Sequence, residues 1–394
     1  MITLTVDNLE PNMIVAEPVV TKRGQTIIKA GEKLTPQMIA KLTFYKIESA
    51  TVEDVEEETP VKESPVEEKP KEVKDEPKKT LSEKKKEAKA AQEEQEKVSQ
   101  QIPYTQRLKA SSSFQKFQSD YAINIAFLQK NFDDILAGAN SSCTEEMLKN
   151  CESLFKSKTT IELLNMLSNM RNVEDPLYSH SLNVGLISRA IGKWLKLPLE
   201  DLNTLTLAGL LHDIGKTQIP KEILNKPGKY TDEEFAIMKT HTTHGKKILN
   251  GKGFDPRILY AALQHHERCD GTGYPRGLEE DEIDDFACIV AIADVFDAMT
   301  SARAHRDPLC SFQVIHEFEK EGLQKYKTKF ILTFLERIAN TYNNSRVMLN
   351  DAKTGRVVYI NKSILSRPVV QLDSGEIINL ADSAYSDVYV RSIL

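Results

Sequence analysis

Long apolar runs are missing from this 394-residue chain, and none approaches the roughly 20 residues that a membrane span needs. The opening Met1-Ile-Thr-Leu-Thr-Val-Asp also lacks the basic-then-apolar order of a secretion signal, so a cytoplasmic protein with no membrane partner is expected. Cysteine is sparse. Cys143, Cys151, Cys269, Cys288 and Cys310 form an odd set without Cys-x-x-Cys spacing, which suggests neither a disulfide framework nor a thiolate zinc site and leaves reduced packing residues. Positive charge is in the minority, with a formal net charge of −6, so the chain has no broad attraction for DNA. A small anionic ligand would need a local basic site.

What is present changes character along the chain. Residues 1–55 read as a small β-rich module: Thr3 to Val6, Ile14 to Ala16 and Ile27-Ile28 are short strand-like stretches broken by Gly24 and Gly31. A short helix is expected over Pro36 to Phe44 and a strand near Ile47 to Val52. Residues 56–100 are Glu, Lys, Pro and Ala with almost no large apolar side chain, a composition that cannot offset the entropy of ordering and reads as a flexible charged linker. From 104 to 342 apolar residues recur at helical spacing, as in Leu163, Leu164, Leu167 and Met170, so this domain is expected to be all-α. Residues 343–394 turn strand-like again at Arg346 to Leu349, Val357 to Ile360 and Val369 to Leu372. Lys353-Thr354-Gly355 and Asp373-Ser374-Gly375 are expected hairpin turns in this C-terminal β appendage.

All eight histidines lie between His180 and His316. Neutral imidazole and carboxylate are natural ligands for Fe, Mn or Zn, so such crowding implies metals or catalysis. His212-Asp213 closes a helix expected from Asp201, and Ile214-Gly215-Lys216 then turns the chain and places an ammonium nearby. Alone, that pair is a weak signal and reads more readily as a surface or capping feature. Around it, His180 opens a helix through Val184, Ile187 and Ile191, and His241 sits within a helix expected from Asp232 to Leu249. His265-His266 ends a helix from Arg257, and Asp294 interrupts the apolar run Ile289 to Phe296. A carboxylate in such a run is costly unless paired or metal-bound. Helices that aim these side chains into one cavity build a metal site inside a bundle. Two metals about 3.5–4 Å apart activate water and steady both oxygens of an in-line phosphoryl displacement, so phosphate-ester hydrolysis fits best.

His212-Asp213-Ile-Gly-Lys216, followed by His265-His266-Glu267-Arg-Cys-Asp270-Gly271-Thr-Gly273-Tyr274-Pro275, resembles the HD-GYP family of cyclic di-GMP phosphodiesterases. The likeness takes in His180-Ser-Leu-Asn-Val, Met238-Lys-Thr-His241 with Gly245, and Ala293-Asp294-Val-Phe-Asp297-Ala-Met-Thr with Arg303 and Arg306, over roughly residues 160 to 340. It implies a mainly α protein: an all-helical HD-type catalytic domain with a small β-rich N-terminal module and a C-terminal β appendage. Carried over residue by residue, the metal ligands fall on His180, His212, Asp213, His241, His265, His266 and Asp294, with Asp213 bridging. The implied cofactors are two divalent ions, Fe or Mn, and the implied reaction is hydrolysis of cyclic di-GMP to pGpG or GMP by a metal-bridging hydroxide. Asp213 and Lys216 are the implied catalytic residues, with Lys216, Asp270, Gly273, Tyr274, Arg303 and Arg306 binding substrate. Members with a third metal carry a glutamate shortly before the first histidine; here Asp175 is the candidate, and two metals is the expectation. His305 stands where an aromatic is common. The resemblance also admits a homodimer and a GGDEF-type signalling partner.

Other readings sit beside these. His244 shares a helical face with His241 but falls outside the family's ligand pattern, and His316 reads as structural. Gly271, Gly273 and Pro275 provide a helix stop in any case, and Glu267 could orient a metal-bound histidine. Competing functions are a phosphohydrolase for another cyclic dinucleotide or nucleotide, and a non-catalytic cyclic di-GMP receptor.

Overall fold

The computed structural model describes residues 1–6, 9, 13–20, 26–35, 38–39, 42, 47, 49–53, 104–156, 158–170, 176–301 and 309–394. The charged linker, most of the helix expected over 36–44, Asp175, Arg303, His305 and Arg306 lie outside the described residues. Two compact units emerge, Met1–Ser111 and Ser112–Leu394. Among the described residues no helix is long and apolar enough to cross a membrane.

In the first unit β1 (Ile2–Thr5) pairs antiparallel with β4 (Ser49–Val52), and β2 (Val19–Val20) with β3 (Thr26–Ile28). Single bridges from Ile14 to Lys33 and from Val15 to Val52 join these ribbons. Val15, Ile28, Leu34, Leu42 and Val52, from the strands and the segments between them, form part of a core of the unit's own. The helix α1 (Tyr104–Ala110) closes the unit.

The second unit is mainly helical, as expected. Helix α2 (Ser112–Leu136) buries Phe114, Phe117, Tyr121, Leu128, Phe132 and Ile135, a stripe at three- and four-residue spacing. After α3 (Thr144–Phe155) and α4 (Thr160–Asn169) comes α5 (Pro176–Trp194), which packs on α6 (Leu199–Leu211). A 3₁₀ turn (Ile214–Gln218) and α7 (Lys221–Leu224) lead to α8 (Asp232–Lys239), started by a reciprocal cap between Thr231 and Glu234. Helix α9 (His241–Leu249) follows, and then α10 (Pro256–Gln264), with Asp255 capping and Pro256 at the first helical position. Helix α11 (Asp285–Thr300) is buried along nearly its whole length, from Phe286 to Ala293, which places it at the centre of the bundle. Helices α12 (Ser311–Glu321) and α13 (Thr328–Thr341) complete the helical part.

Two details correct the sequence reading. The single helix expected over Asp232–Leu249 is broken at Thr240, whose N–H reaches the Ile237 carbonyl in a tightened last turn while its hydroxyl donates to that same oxygen. The first C-terminal hairpin turns at residues 350–353, with Ala352 in the left-handed region, and Thr354 and Gly355 are already in strand. Strands β5 (Arg346–Leu349), β6 (Thr354–Tyr359), β7 (Val369–Leu372), β8 (Ile377–Asn379) and β9 (Val390–Ile393) form one antiparallel sheet in the order β8-β7-β6-β5-β9. The sheet belongs to the helical unit. The Glu319 carboxylate on α12 accepts hydrogen bonds from the Leu365 N–H and the Ser366 hydroxyl, and the Cys310 thiol donates to the Val390 carbonyl.

Candidate metal centre

The ends of four helices and the interior of a fifth deliver the polar side chains that the apolar bundle would otherwise exclude. His180 comes from the first turns of α5, His212 is the C-cap of α6 with Asp213 next to it, and His241 opens α9. His265 caps α10 with His266 beyond it, and Asp294 lies just past the middle of α11. His212, Asp213, His241 and His265 are fully buried. All seven predicted ligand residues meet here.

Asp213 stands between two groups of imidazoles. Its Oδ1 lies 3.4 Å from His241 Nε2 and 3.7 Å from His265 Nε2, while its Oδ2 lies 3.3 Å from His212 Nε2 and 3.6 Å from His180 Nε2. Asp294 spans the same divide, with Oδ1 at 3.0 Å from His180 Nε2 and Oδ2 at 3.9 Å from His266 Nδ1. His241, His265 and His266 form one cluster with ligand-like spacing, and His180, His212 and Asp213 another.

The rings are held from behind. His212, His241 and His265 each donate Nδ1–H to a backbone carbonyl of their own helix turn: Gly209 at 2.7 Å, Met238 at 2.6 Å and Ala261 at 2.9 Å. That bond leaves Nε2 as the lone-pair nitrogen of the neutral ring, the arrangement found behind metal-bound histidine. Burial keeps His241 and His265 below the usual imidazole range and pushes His266 down to about 3, so these rings stay neutral. Two lone pairs therefore face each other across 3.3 Å between His241 and His265, and His212 Nε2 and Asp213 Oδ1 are buried without a hydrogen bond. Buried acceptors that face one another are costly unless a cation sits among them, so the donor set fits divalent metal.

His180 differs. Burial opposes its charge, but Asp294 and Asp297 outweigh that cost and raise it to about 10. Asp297 Oδ2 is 2.7 Å from His180 Nδ1, Asn183 donates to Asp297 Oδ1, and the Tyr121 hydroxyl donates to Asn183 Oδ1 at 2.6 Å. This chain was missed in the sequence, although Asp297 stands one helical turn from Asp294, where α11 carries a second costly carboxylate.

The Lys216 ammonium, on the 3₁₀ turn, lies 2.5 Å from Asp213 Oδ2. Burial would raise Asp213, yet His212 and Lys216 hold it well below the usual carboxylate range. Tyr274 stacks on the His266 ring with centroids 4.6 Å apart at the rim. Gly273 presses on the Glu267–Arg268 backbone, where a Cβ would fall 2.3 Å from the Arg268 nitrogen. Asp270 is exposed and accepts from the Thr272 N–H and hydroxyl. Glu267 does not orient a histidine: buried, it accepts the Arg276 and Leu278 N–H groups and pins the turn that carries Tyr274. His244 is half-buried beside the cluster and His316 is exposed on α12.

Residues 145–329 match the model of the HD domain family. This segment is an HD domain. The resemblance read from His212–Lys216 and His265–Pro275 therefore holds. Curated relatives of the HD segment include a cyclic di-GMP phosphodiesterase of Thermotoga maritima, 43% identical over 178 residues, or 45% of this chain and 48% of the relative. A cyclic di-GMP phosphodiesterase of Pseudomonas aeruginosa is 40% identical over 141 residues, covering 36% of this chain and 34% of its own. A 3'3'-cGAMP-specific phosphodiesterase of Vibrio cholerae is 37% identical over 172 residues, covering 42% and 40%. The chain thus spans less than half the length of these relatives. Among solved structures, Bd1817 of Bdellovibrio bacteriovorus, described as an HDG"Y"P protein, aligns with TM-score 0.51 over 86% of this chain and 99% of its own at 17% identity, a likeness of fold.

Proposed function

We propose that the protein is a metal-dependent phosphodiesterase that hydrolyses cyclic di-GMP. The observation that carries this reading is the paired imidazole clusters divided by Asp213 and Asp294, set in a domain whose relatives are named for cyclic dinucleotide hydrolysis. His180, His212, Asp213, His241, His265, His266 and Asp294 would hold two ions. Such a pair supplies a nucleophile at neutral pH and stabilises charge on the phosphoryl oxygens.

The chain's own residues do the rest. Backbone carbonyls fix the tautomers of His212, His241 and His265, and Asp297 holds the orientation of the His180 ring, so ligands are aimed before substrate arrives. Lys216 places a positive charge beside Asp213, where it would stabilise negative charge on a phosphate held at the site, and Tyr274 walls the rim over His266. Arg303 and Arg306 are proposed phosphate contacts on the resemblance alone. The relative specific for 3'3'-cGAMP supports a second reading in which that dinucleotide is the substrate.

The test is turnover of purified protein supplied with Mn or Fe(II), with cyclic di-GMP, 3'3'-cGAMP and cyclic di-AMP compared and products separated by chromatography. Metal-dependent formation of pGpG or GMP from cyclic di-GMP at the highest kcat/KM is expected. Preference for 3'3'-cGAMP would support the second reading, and binding without turnover would make the protein a receptor.

A further inference from the structure

Like the short α7 before it, helix α8 lies on the surface of the helical unit. Of its residues only Met238 is buried, whereas Phe235 is 42% exposed and Ile237 is 41% exposed. Of the two, Phe235 adjoins the metal centre through a continuous series of rings: it meets Tyr274 edge-on with centroids 6.1 Å apart, and Tyr274 stacks on His266. Lys239, one helical turn after Phe235, holds its ammonium 4.7 Å from the Phe235 centroid and 5.7 Å from that of Tyr274.

We infer that Phe235, with Lys239, forms the subsite that receives one guanine base of the substrate. The inference rests on the cyclic dinucleotide reading above. A phosphodiester at the metals carries a base a few ångströms away on the adjoining sugar, and Phe235 lies one ring beyond the ligand-stacking Tyr274. An exposed aromatic face beside a cationic group is the recurring means of holding a single base. Lys239 adds selectivity. An ammonium has only donors to offer, and guanine presents two acceptors, O6 and N7, where adenine presents one acceptor and a donor amino group. The pair thus favours guanine over adenine, and it acts on binding rather than on the chemical step because neither residue reaches the ligand cluster.

The test uses the full-length, metal-loaded protein. Phe235→Ala is expected to raise KM for cyclic di-GMP about tenfold, the loss of one stacked base, with metal content as in the wild type. Phe235→Trp is expected to restore KM and to report binding by fluorescence quenching when cyclic di-GMP is added. Lys239→Gln is expected to narrow the preference for cyclic di-GMP over cyclic di-AMP. An unchanged KM in Phe235→Ala, or no quenching in Phe235→Trp while the protein still turns over cyclic di-GMP, overturns the subsite. Absence of turnover and binding of every cyclic dinucleotide in the wild type would overturn the activity reading instead.

Discussion

Lys216 illustrates how a residue can be placed by sequence and defined by geometry. Four positions after His212 it had to be near the cluster, but spacing could not separate a helix cap from a catalytic cation. The ammonium 2.5 Å from Asp213 Oδ2 puts its charge on the carboxylate that divides the two imidazole groups, which on the proposed reading is where it would meet the phosphate. Lys216→Ala is therefore expected to keep its metals and lose roughly 10²–10³ in kcat, the effect of removing one electrostatic donor. Metal analysis, melting temperature and kcat on the same variant check this, and an unchanged kcat with lowered melting would take Lys216 out of the mechanism. The histidines that the structure gathers into one cluster were legible because imidazole is rare and the whole set falls between His180 and His316. Glu267 was misread for a physical reason: a carboxylate next to two ligands looks like their partner, whereas its neighbours in space are the N–H groups of Arg276 and Leu278, fixed by a loop path that the sequence does not spell out.

Among the elements, strongly apolar helices were legible nearly to their ends, as α6 over Leu199–Leu211, buried on every side from Leu205 on, shows against an expected Asp201–Leu211. The break at Thr240 was not, because a one-residue interruption leaves the three- and four-residue spacing almost unchanged across it. Yet that break makes His241 the first residue of α9, and it is fixed in place by the 3₁₀ turn after Asp213. Gly215 makes the contact. A Cβ there would lie 1.9 Å from the His241 carbonyl oxygen and 2.4 Å from the Gly245 nitrogen, both backbone atoms that cannot swing aside. Gly215→Ala must therefore push the turn away from α9 and move Asp213 relative to His241. The expected outcome is a destabilisation of about 1–3 kcal/mol, in the range of overpacked cores, together with reduced bound metal. Calorimetry and metal analysis check it, and a variant with wild-type melting and full metal content would show that the two backbones can separate at little cost.

Across the whole molecule, composition located the helical stretch and the charged stretch, but it could not say which flanking β segment shares the helical core. The distinction lies in tertiary contacts. The N-terminal strands bury Val15, Ile28, Leu42 and Val52 among themselves, whereas the C-terminal sheet is fastened to α12 through Glu319 and to its N-cap through Cys310. The two truncations should then behave oppositely. Removing residues 1–100 takes away a unit with its own core and is expected to leave a fragment that melts in one transition and retains its metals. Removing residues 344–394 strips the buried partners of Glu319 and Cys310 and is expected to lower the melting temperature or give insoluble protein, since a carboxylate left without its donors costs about 1–3 kcal/mol before any apolar exposure is counted. Circular dichroism on both fragments checks this. Loss of helical signal in the first, or full retention of melting temperature in the second, would show that the cores are divided differently, and in the second case that Glu319 is satisfied by water once the sheet is gone.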